Sequence, residues 1–298
     1  MTIAGEMTRE TVAAAASPAA DAVDRAPLSA TALCGALVTP GALWRDVRVV
    51  TQTGSSNTDL LADARNGVPE GVVLAAESQT TGRGRMGRRW VSPPGAALMF
   101  SVLLRPGAVP PASKGWVPLL AGVAVASALT AEASVAACLK WPNDVLVDGA
   151  KVAGILAEQA GDAIVVGTGI NVSTRRDEMP SAAATSLALA GGTCTDRARL
   201  FTRVLAELER WYLAWLGAAV PPGSARSGMP APGDPDACGL RPEYRRLSGT
   251  LGRPVRVSLP GGQVLTGTAQ DVDEAGRLVI LAASGLVAVS AGDVVHLR

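Results

Sequence analysis

Residues 79–90, QTTGRGRMGRRW, set four arginines (Arg83, Arg85, Arg88, Arg89) and three glycines (Gly82, Gly84, Gly87) within eight positions. Glycine lets backbone N–H groups approach a ligand with no Cβ in the way. Guanidinium groups present rigid forks that match phosphate and carboxylate oxygens. Together they read as a mobile anion-gripping loop. Taken alone, the stretch fits a solvated arginine-rich turn or a short RGG-like nucleic-acid segment equally well. The residues around it decide.

Over the whole chain, charge is nearly balanced. Lys and Arg number 27 against 26 Asp and Glu, giving +1, so no global field favours nucleic acid or a membrane surface. Anion binding must be local. A chain of 298 residues, 48% hydrophobic, is long enough for one large domain and a small one. Cys34, Cys138, Cys194 and Cys238 are scattered with no C-x-x-C pair, which suggests neither a zinc site nor a disulfide framework. A cytoplasmic setting is expected. His296 is the only histidine, so histidine acid–base chemistry and a multi-histidine metal site are nearly excluded, and no protein-held metal is expected. Glu6 and Glu10 precede any apolar run, unlike a secretory leader. Trp116–Ala131 is uncharged but short of the ~20 residues that span a bilayer, and reads as a buried core helix.

Residues 1–27 are Ala-rich without an apolar face and are expected to be disordered, with a short helix over Leu28–Val38 completing an extension to residue 40. Val47–Gln52, Val72–Ser78 and Ala97–Leu104 read as strands, and Asn57–Arg65 as a helix. After the core helix near Lys114–Glu132 come short strands at Cys138–Trp141, Val145–Val147, Val152–Glu158 and Ile164–Gly169, with Asp148-Gly149 as a hairpin turn. Asp196–Leu216 is an amphipathic helix with Leu200, Val204, Leu208 and Trp211 on one face. These elements form a domain over 41–217. Six prolines and four glycines between Ala218 and Pro242 read as a linker or insertion over 218–247. Alternating strands at Pro254–Leu259, Val264–Asp271, Leu278–Leu281 and Leu286–Ser290 suggest a small barrel over 248–298.

Four motifs carry candidate chemistry. Ser55-Ser56-Asn57 opens a helix; such residues are ordinary caps, yet they also suit a neutral polar ligand head such as a urea or amide. Gln79 introduces the Gly/Arg loop. Lys140-Trp141-Pro142-Asn143-Asp144 follows an apolar strand and is succeeded by Lys151 in KVAGILAE. Gly167-Thr168-Gly169-Ile170-Asn171 is a Gly-rich bend, a weak signal alone.

The order S-S-N, Q-x-x-GRGRxGRxW, KWPNDV, K-x-AGILxE, GxGIN closely resembles the biotin–protein ligase family, over Val47–Val172 in motifs. The resemblance implies an α/β (α+β) catalytic domain on a mixed sheet, akin to class II aminoacyl-tRNA synthetases, followed by an SH3-like β-barrel. It implies activation of biotin by ATP to biotinyl-5′-AMP, with Mg2+ accompanying ATP, and transfer of biotin to a lysine of a biotin carboxyl carrier domain or carboxylase subunit. Carried over by position, Ser55, Ser56, Asn57 and Gln79 bond the biotin head. Arg83, Gly84 and Arg85 lie against the biotin carboxylate and the adenylate phosphate, and Arg85 holds the intermediate. Arg88 adds to phosphate binding and Trp90 to the wall. Lys140 and Lys151 place ammonium groups at the reacting atoms. Asn143 and Asn171 face the nucleotide, while Gly154, Gly167 and Gly169 allow backbone approach. Asp144 is equally a turn residue or a group that orients a basic side chain or metal.

Ser56 stands where the family often has Thr, and Met86 where it often has Arg or Lys; the second change removes one charge from the loop. About forty residues precede the catalytic domain, too few for the DNA-binding module of some members, so no role on DNA and none at a membrane is expected. The motifs leave the oligomeric state open. A lipoate–protein ligase or octanoyltransferase is the rival enzyme, and a non-catalytic ligand-binding regulator or an RNA-binding protein the rivals of another class.

Overall fold

The computed structural model describes residues 25–217 and 231–297. The disorder expected for residues 1–24 and the linker expected over 218–230 lie outside the described residues.

Helix α1 (Ala30–Leu37) leads into β1 (Asp46–Val50), α2 (Ser56–Arg65) and β2 (Val72–Ala76), a parallel β-α-β unit in which Val50 pairs with Ala76. Next come β3 (Ala97–Leu104), α3 (Trp116–Ala133), β4 (Ala137–Lys140), β5 (Asp144–Val147), β6 (Ala150–Ala160), β7 (Ala163–Asn171) and α4 (Arg197–Trp215). The seven strands form one mixed sheet in the order β1-β2-β3-β7-β6-β5-β4, antiparallel after β2. The β5–β6 turn is the one expected: Asp148 and Gly149 have φ of 50° and 79°, the left-handed pair a two-residue hairpin requires.

Strand β3, ALMFSVLL, is buried on both faces, as a continuous apolar run in a covered sheet must be. Its alternate residues Leu98, Phe100, Val102 and Leu104 join the large core beneath α3 and α4, where Phe100 meets Phe201 edge to face at 4.9 Å. Leu103, from the opposite face, packs with Leu60, Leu61 and Ala64 of α2. Two residues earlier on that face stands Ser101, fully buried. Beneath the start of α2, apolar packing therefore gives way to polar groups. The 23-residue stretch Pro111–Ala133, long and apolar enough to cross a membrane by length and composition, is largely buried under this sheet as a core helix.

Two expectations need correction. Leu240–Leu247 is not linker but a helix, α5, burying Leu240, Tyr244 and Leu247 at i, i+4 and i+7, with Tyr244 edge to face on Trp116 at 5.9 Å. Pro242 falls in its first turn, where the missing N–H costs no helical bond. The C-terminal region then has five strands rather than four: β8 (Pro254–Ser258), β9 (Val264–Val272), β10 (Leu278–Ala282), β11 (Gly285–Val289) and β12 (Asp293–His296), ordered β11-β10-β9-β8-β12. The added strand, DVVH, is too short to show alternation and is recruited by antiparallel pairing with β8.

The small domain is riveted to the large one. Trp116 Nε1 donates to Asp273 O at 3.1 Å and Glu274 O at 3.0 Å, and Trp141 Nε1 to Gly276 O at 3.2 Å. Trp141 N donates to Thr250 Oγ1 at 3.1 Å. One apolar cluster runs through both domains.

Candidate active site

A cleft of about 460 Å³ opens between the start of α2, the Gly/Arg loop and strands β5 to β7. The residues given a ligand role by the resemblance all line it, from Ser55, Ser56, Asn57 and Gln79 through Arg83, Gly84, Arg85, Arg88 and Trp90 to Lys140, Asn143, Lys151, Gly154, Gly167, Gly169 and Asn171, whereas Trp141 and Pro142 of the same motifs do not. Residues distant in sequence meet because β3, β7, β6 and β5 are hydrogen-bonded neighbours in the sheet.

One end of the cleft is a closed polar ladder. Gln79 Oε1 accepts from Ser56 N at 2.9 Å, the Ser56 and Ser101 hydroxyls lie 2.7 Å apart, and Ser101 donates to Asn57 Oδ1 at 2.6 Å. Asn57 Nδ2 donates to Leu156 O at 3.1 Å and Glu158 Oε2 at 2.9 Å. These groups are buried, Ser55, Ser56 and Asn57 each 3% exposed, and buried polar groups persist when partnered. Ser55 sits at the N-cap, but its side chain makes no cap bond. The capping alternative is therefore not what its hydroxyl does. An added Cβ at Gly167 would come 2.2 Å from Asn57 Oδ1, so the close approach that glycine allows is to the Asn57 amide.

The other end is cationic. The loop forms an arch: Trp90 N donates to Gly82 O at 2.9 Å and Gly84 N to Arg88 O at 2.7 Å, with a 3₁₀ turn at Arg85–Gly87. At its tip Met86 has φ 54° and is exposed. Arg83 reaches Glu158 at 3.2 Å and Arg88 reaches Asp293 at 2.6 Å. Arg85 Nη1 donates to Asn143 Oδ1 at 3.3 Å, and Asn143 Nδ2 in turn to Ile155 O at 2.9 Å. Arg85 has no carboxylate partner among the described residues, and burial lowers its pKa from the ordinary value against the raising pull of Asp293. An incoming anion would compensate that burial. Lys151 Nζ is 2.6 Å from Asp144 Oδ1 and 5.8 Å from the centroid of Trp90. Asp144 thus orients a basic side chain. The Trp90 ring lies on Gly169 and Gly154, filling the room those glycines leave. Asn171, buried, donates from Nδ2 to Thr185 O at 2.9 Å, which ties it to the wall formed by Pro180–Ala184.

Sequence reasoning missed Ser101, Glu158 and that wall. Ser101 was detectable as the only polar residue in ALMFSVLL, and Glu158 as the last residue of KVAGILAE. Pro180–Ala184 gives no signal beyond composition. Val295 and His296 of β12 also line the cleft. Burial first, then Lys140 and Arg253, lower the His296 pKa, so its ring is neutral near pH 7. Among the described residues no three His, Cys, Asp or Glu side chains converge as metal ligands.

A buried neutral hydrogen-bonding pocket opening onto half-buried and exposed guanidinium and ammonium groups suits a ligand with an uncharged polar head and an anionic tail, brought against a phosphate. Residues 49–174 match the biotin/lipoate A/B protein ligase family, and residues 250–297 match the biotin protein ligase C terminal domain. The biotin–[acetyl-CoA-carboxylase] ligase of Mycobacterium tuberculosis is 44% identical over 278 residues, 92% of this chain and 97% of that protein. The bifunctional ligase/repressor BirA of Escherichia coli is 30% identical, over 85% of this chain and 74% of that one. The biotin protein ligase from Aquifex aeolicus in complex with biotin and ATP superposes with a TM-score of 0.68 at 27% identity, covering 86% of this chain and 100% of that chain.

Proposed function

The chain belongs to the biotin protein ligase family, and from that premise we propose how its cleft divides the labour of a two-step ligation. The activity is ATP-dependent activation of biotin and transfer of the biotinyl group to a carboxylase acceptor. The observation that bears it is the junction of a neutral ladder with a cationic arch in one cleft.

In the first step the biotin carboxylate attacks the α-phosphorus of ATP, an oxygen–phosphorus bond forms, and pyrophosphate leaves. Two anions are brought together and no proton moves, so charge neutralisation and alignment are what the protein must supply. Ser55, Ser56, Asn57 and Gln79 hold the ring head; Gln79 still has its amide N–H groups to donate, since among the described residues only its Oε1 is engaged. Arg83 and Arg85 face the carboxylate and phosphate. Lys151, held by Asp144, and Lys140 flank the reacting atoms, with Arg88 at the phosphate side. Asn143, Asn171 and the Trp90 wall face the nucleotide, and Mg2+ enters with the ATP phosphates. In the second step a neutral acceptor lysine amine attacks the mixed-anhydride carbonyl, the amide C–N bond forms as the acyl C–O bond to the phosphate breaks, the amine gives up one proton to solvent, and AMP departs with its charge on the arch. The closed arch keeps water from the anhydride meanwhile.

The acceptor is a lysine of a biotin carboxyl carrier domain in a carboxylase. No DNA or membrane partner is included in this reading: α1 carries no basic residue and packs on β1 and α4. The four cysteines are free, in keeping with a cytoplasmic setting.

Incubation with ATP, Mg2+ and labelled biotin should yield biotinyl-adenylate by chromatography, with little product from lipoate or octanoate. Equal turnover of lipoate would remove biotin as the substrate.

A further inference from the structure

The segment ahead of α1 crosses the ends of β2, β3 and β7 as a strap whose contacts converge on one wall of the cleft. Arg25 grips Glu178 with both terminal nitrogens, Nη1 to Oε1 at 3.2 Å and Nη2 to Oε2 at 2.6 Å, and Nη2 also donates to Ser173 O at 3.2 Å. The two side chains are 22% and 14% exposed, and a shielded fork of this kind is geometrically specific. Arg197 Nη2 donates to Ala26 O at 2.6 Å, and Leu28 N to Glu77 Oε1 at 2.7 Å. Arg197 Nη1 closes the ring on Glu77 Oε2 at 2.6 Å.

Each anchor is the root of a part of the cleft. Glu77 stands two residues before Gln79. Ser173 and Glu178 bracket the turn that leads into the Pro180–Ala184 wall. The wall then returns to the sheet at Lys151, whose N donates to Ala183 O at 2.8 Å and whose O accepts from Thr185 N at 2.8 Å. Thr185 O is also the acceptor for Asn171. The wall is thus fixed at its far end to Lys151, beside the reacting atoms, and to Asn171, on the nucleotide side, and at its near end to the strap.

We propose that Arg25 is a positioning residue: through Glu178 it sets the Pro180–Ala184 wall against the nucleotide, so that recognition of ATP, and not of biotin, depends on it. This rests on the nucleotide side of the cleft being the one assigned above. The test is biotin-dependent pyrophosphate exchange by the full chain carrying Arg25→Ala, Arg25→Lys or Glu178→Gln, with ATP and biotin varied separately and thermal unfolding followed alongside. Arg25→Ala should raise the KM for ATP about tenfold and leave that for biotin within about twofold. Arg25→Lys should recover part of the loss, and the double variant Arg25→Ala/Glu178→Gln should lose less than the sum of the two single losses, as expected of residues that share a contact. Equal rises in both KM values, additive losses, or a lowered Tm with an unchanged KM for ATP would overturn the proposal. Should Arg25→Ala fail to fold, the Arg25→Lys and Glu178→Gln variants give the same reading. Wild-type protein inactive in exchange would instead strike the functional assignment, and equilibrium binding of ATP to the same variants would still decide the role of the strap.

Discussion

The two ends of the cleft hold their polar groups in opposite ways. At the Ser56–Ser101–Asn57 end the donors and acceptors are buried and bonded to one another. At the arch, Arg83 and Arg88 are more than half exposed and lean on Glu158 and Asp293 from other elements. Exposed pairs contribute only about 0–1 kcal/mol, so an entering carboxylate or phosphate can take these guanidinium groups from their present partners at little cost. The ladder cannot be rearranged so cheaply, because a buried group stripped of its partner costs about 1–3 kcal/mol. One end is built before the ligand arrives, and the other is completed by it.

The largest effect that would break this contrast is at Arg85. Its replacement by alanine should lower adenylate formation about 100-fold, the scale of one lost electrostatic stabiliser, and let adenylate escape in a rapid-dilution assay. Unchanged retention would mean that the arch grips nothing. At the opposite end, Ser101→Ala leaves Ser56 and Asn57 without their shared partner. Unfolding stability should fall by about 1–3 kcal/mol, and calorimetry should show weaker biotin binding with ATP affinity kept. Equal loss for both ligands would dissolve the division.

Smaller still is the effect of His296, where the folded pKa lies below the ordinary value chiefly through burial. The neutral ring is favoured in the folded state. Its contribution is therefore present above the unfolded value of about 6.5 and is lost as pH falls through the lower folded value. Tm measured downward through that window should drop, and His296→Gln should reduce the drop. The smallest effect belongs to Asp293→Asn, which frees Arg88. Activity should change less than about fivefold, and the change should fade in high salt, as for an exposed pair.

Much of this geometry was legible because Ser55, Ser56, Asn57, Gln79, Lys140, Asn143 and Asn171 sit at or beside helix starts and strand ends. Hydrophobic runs located β2, β3, β7 and the core helix α3, and the Asp148-Gly149 turn set the β5–β6 register. What escaped had no period to show. Helix α5 has eight residues with a proline inside, directly after a Pro/Gly-rich stretch, and β12 has four. Both form because the existing core offers them a face and a strand edge. Ser101 escaped differently: a lone serine in an apolar strand reads as a tolerated exception until α2 is laid over it. The Pro180–Ala184 wall is placed by long-range bonds from Lys151 and Arg25, which sequence proximity does not reveal.

Trp141 belongs to the motif that carries Lys140 and Asn143, yet its backbone N–H and its indole are both held by the small domain, at Thr250 and Gly276. The C-terminal module therefore acts as a gauge block for the loop that carries Lys140 and Asn143. Severing the chain near residue 248 would strand two indole donors and misalign the reaction centre in the same stroke. Calorimetry of the intact protein should accordingly record a single melting endotherm shared by both halves.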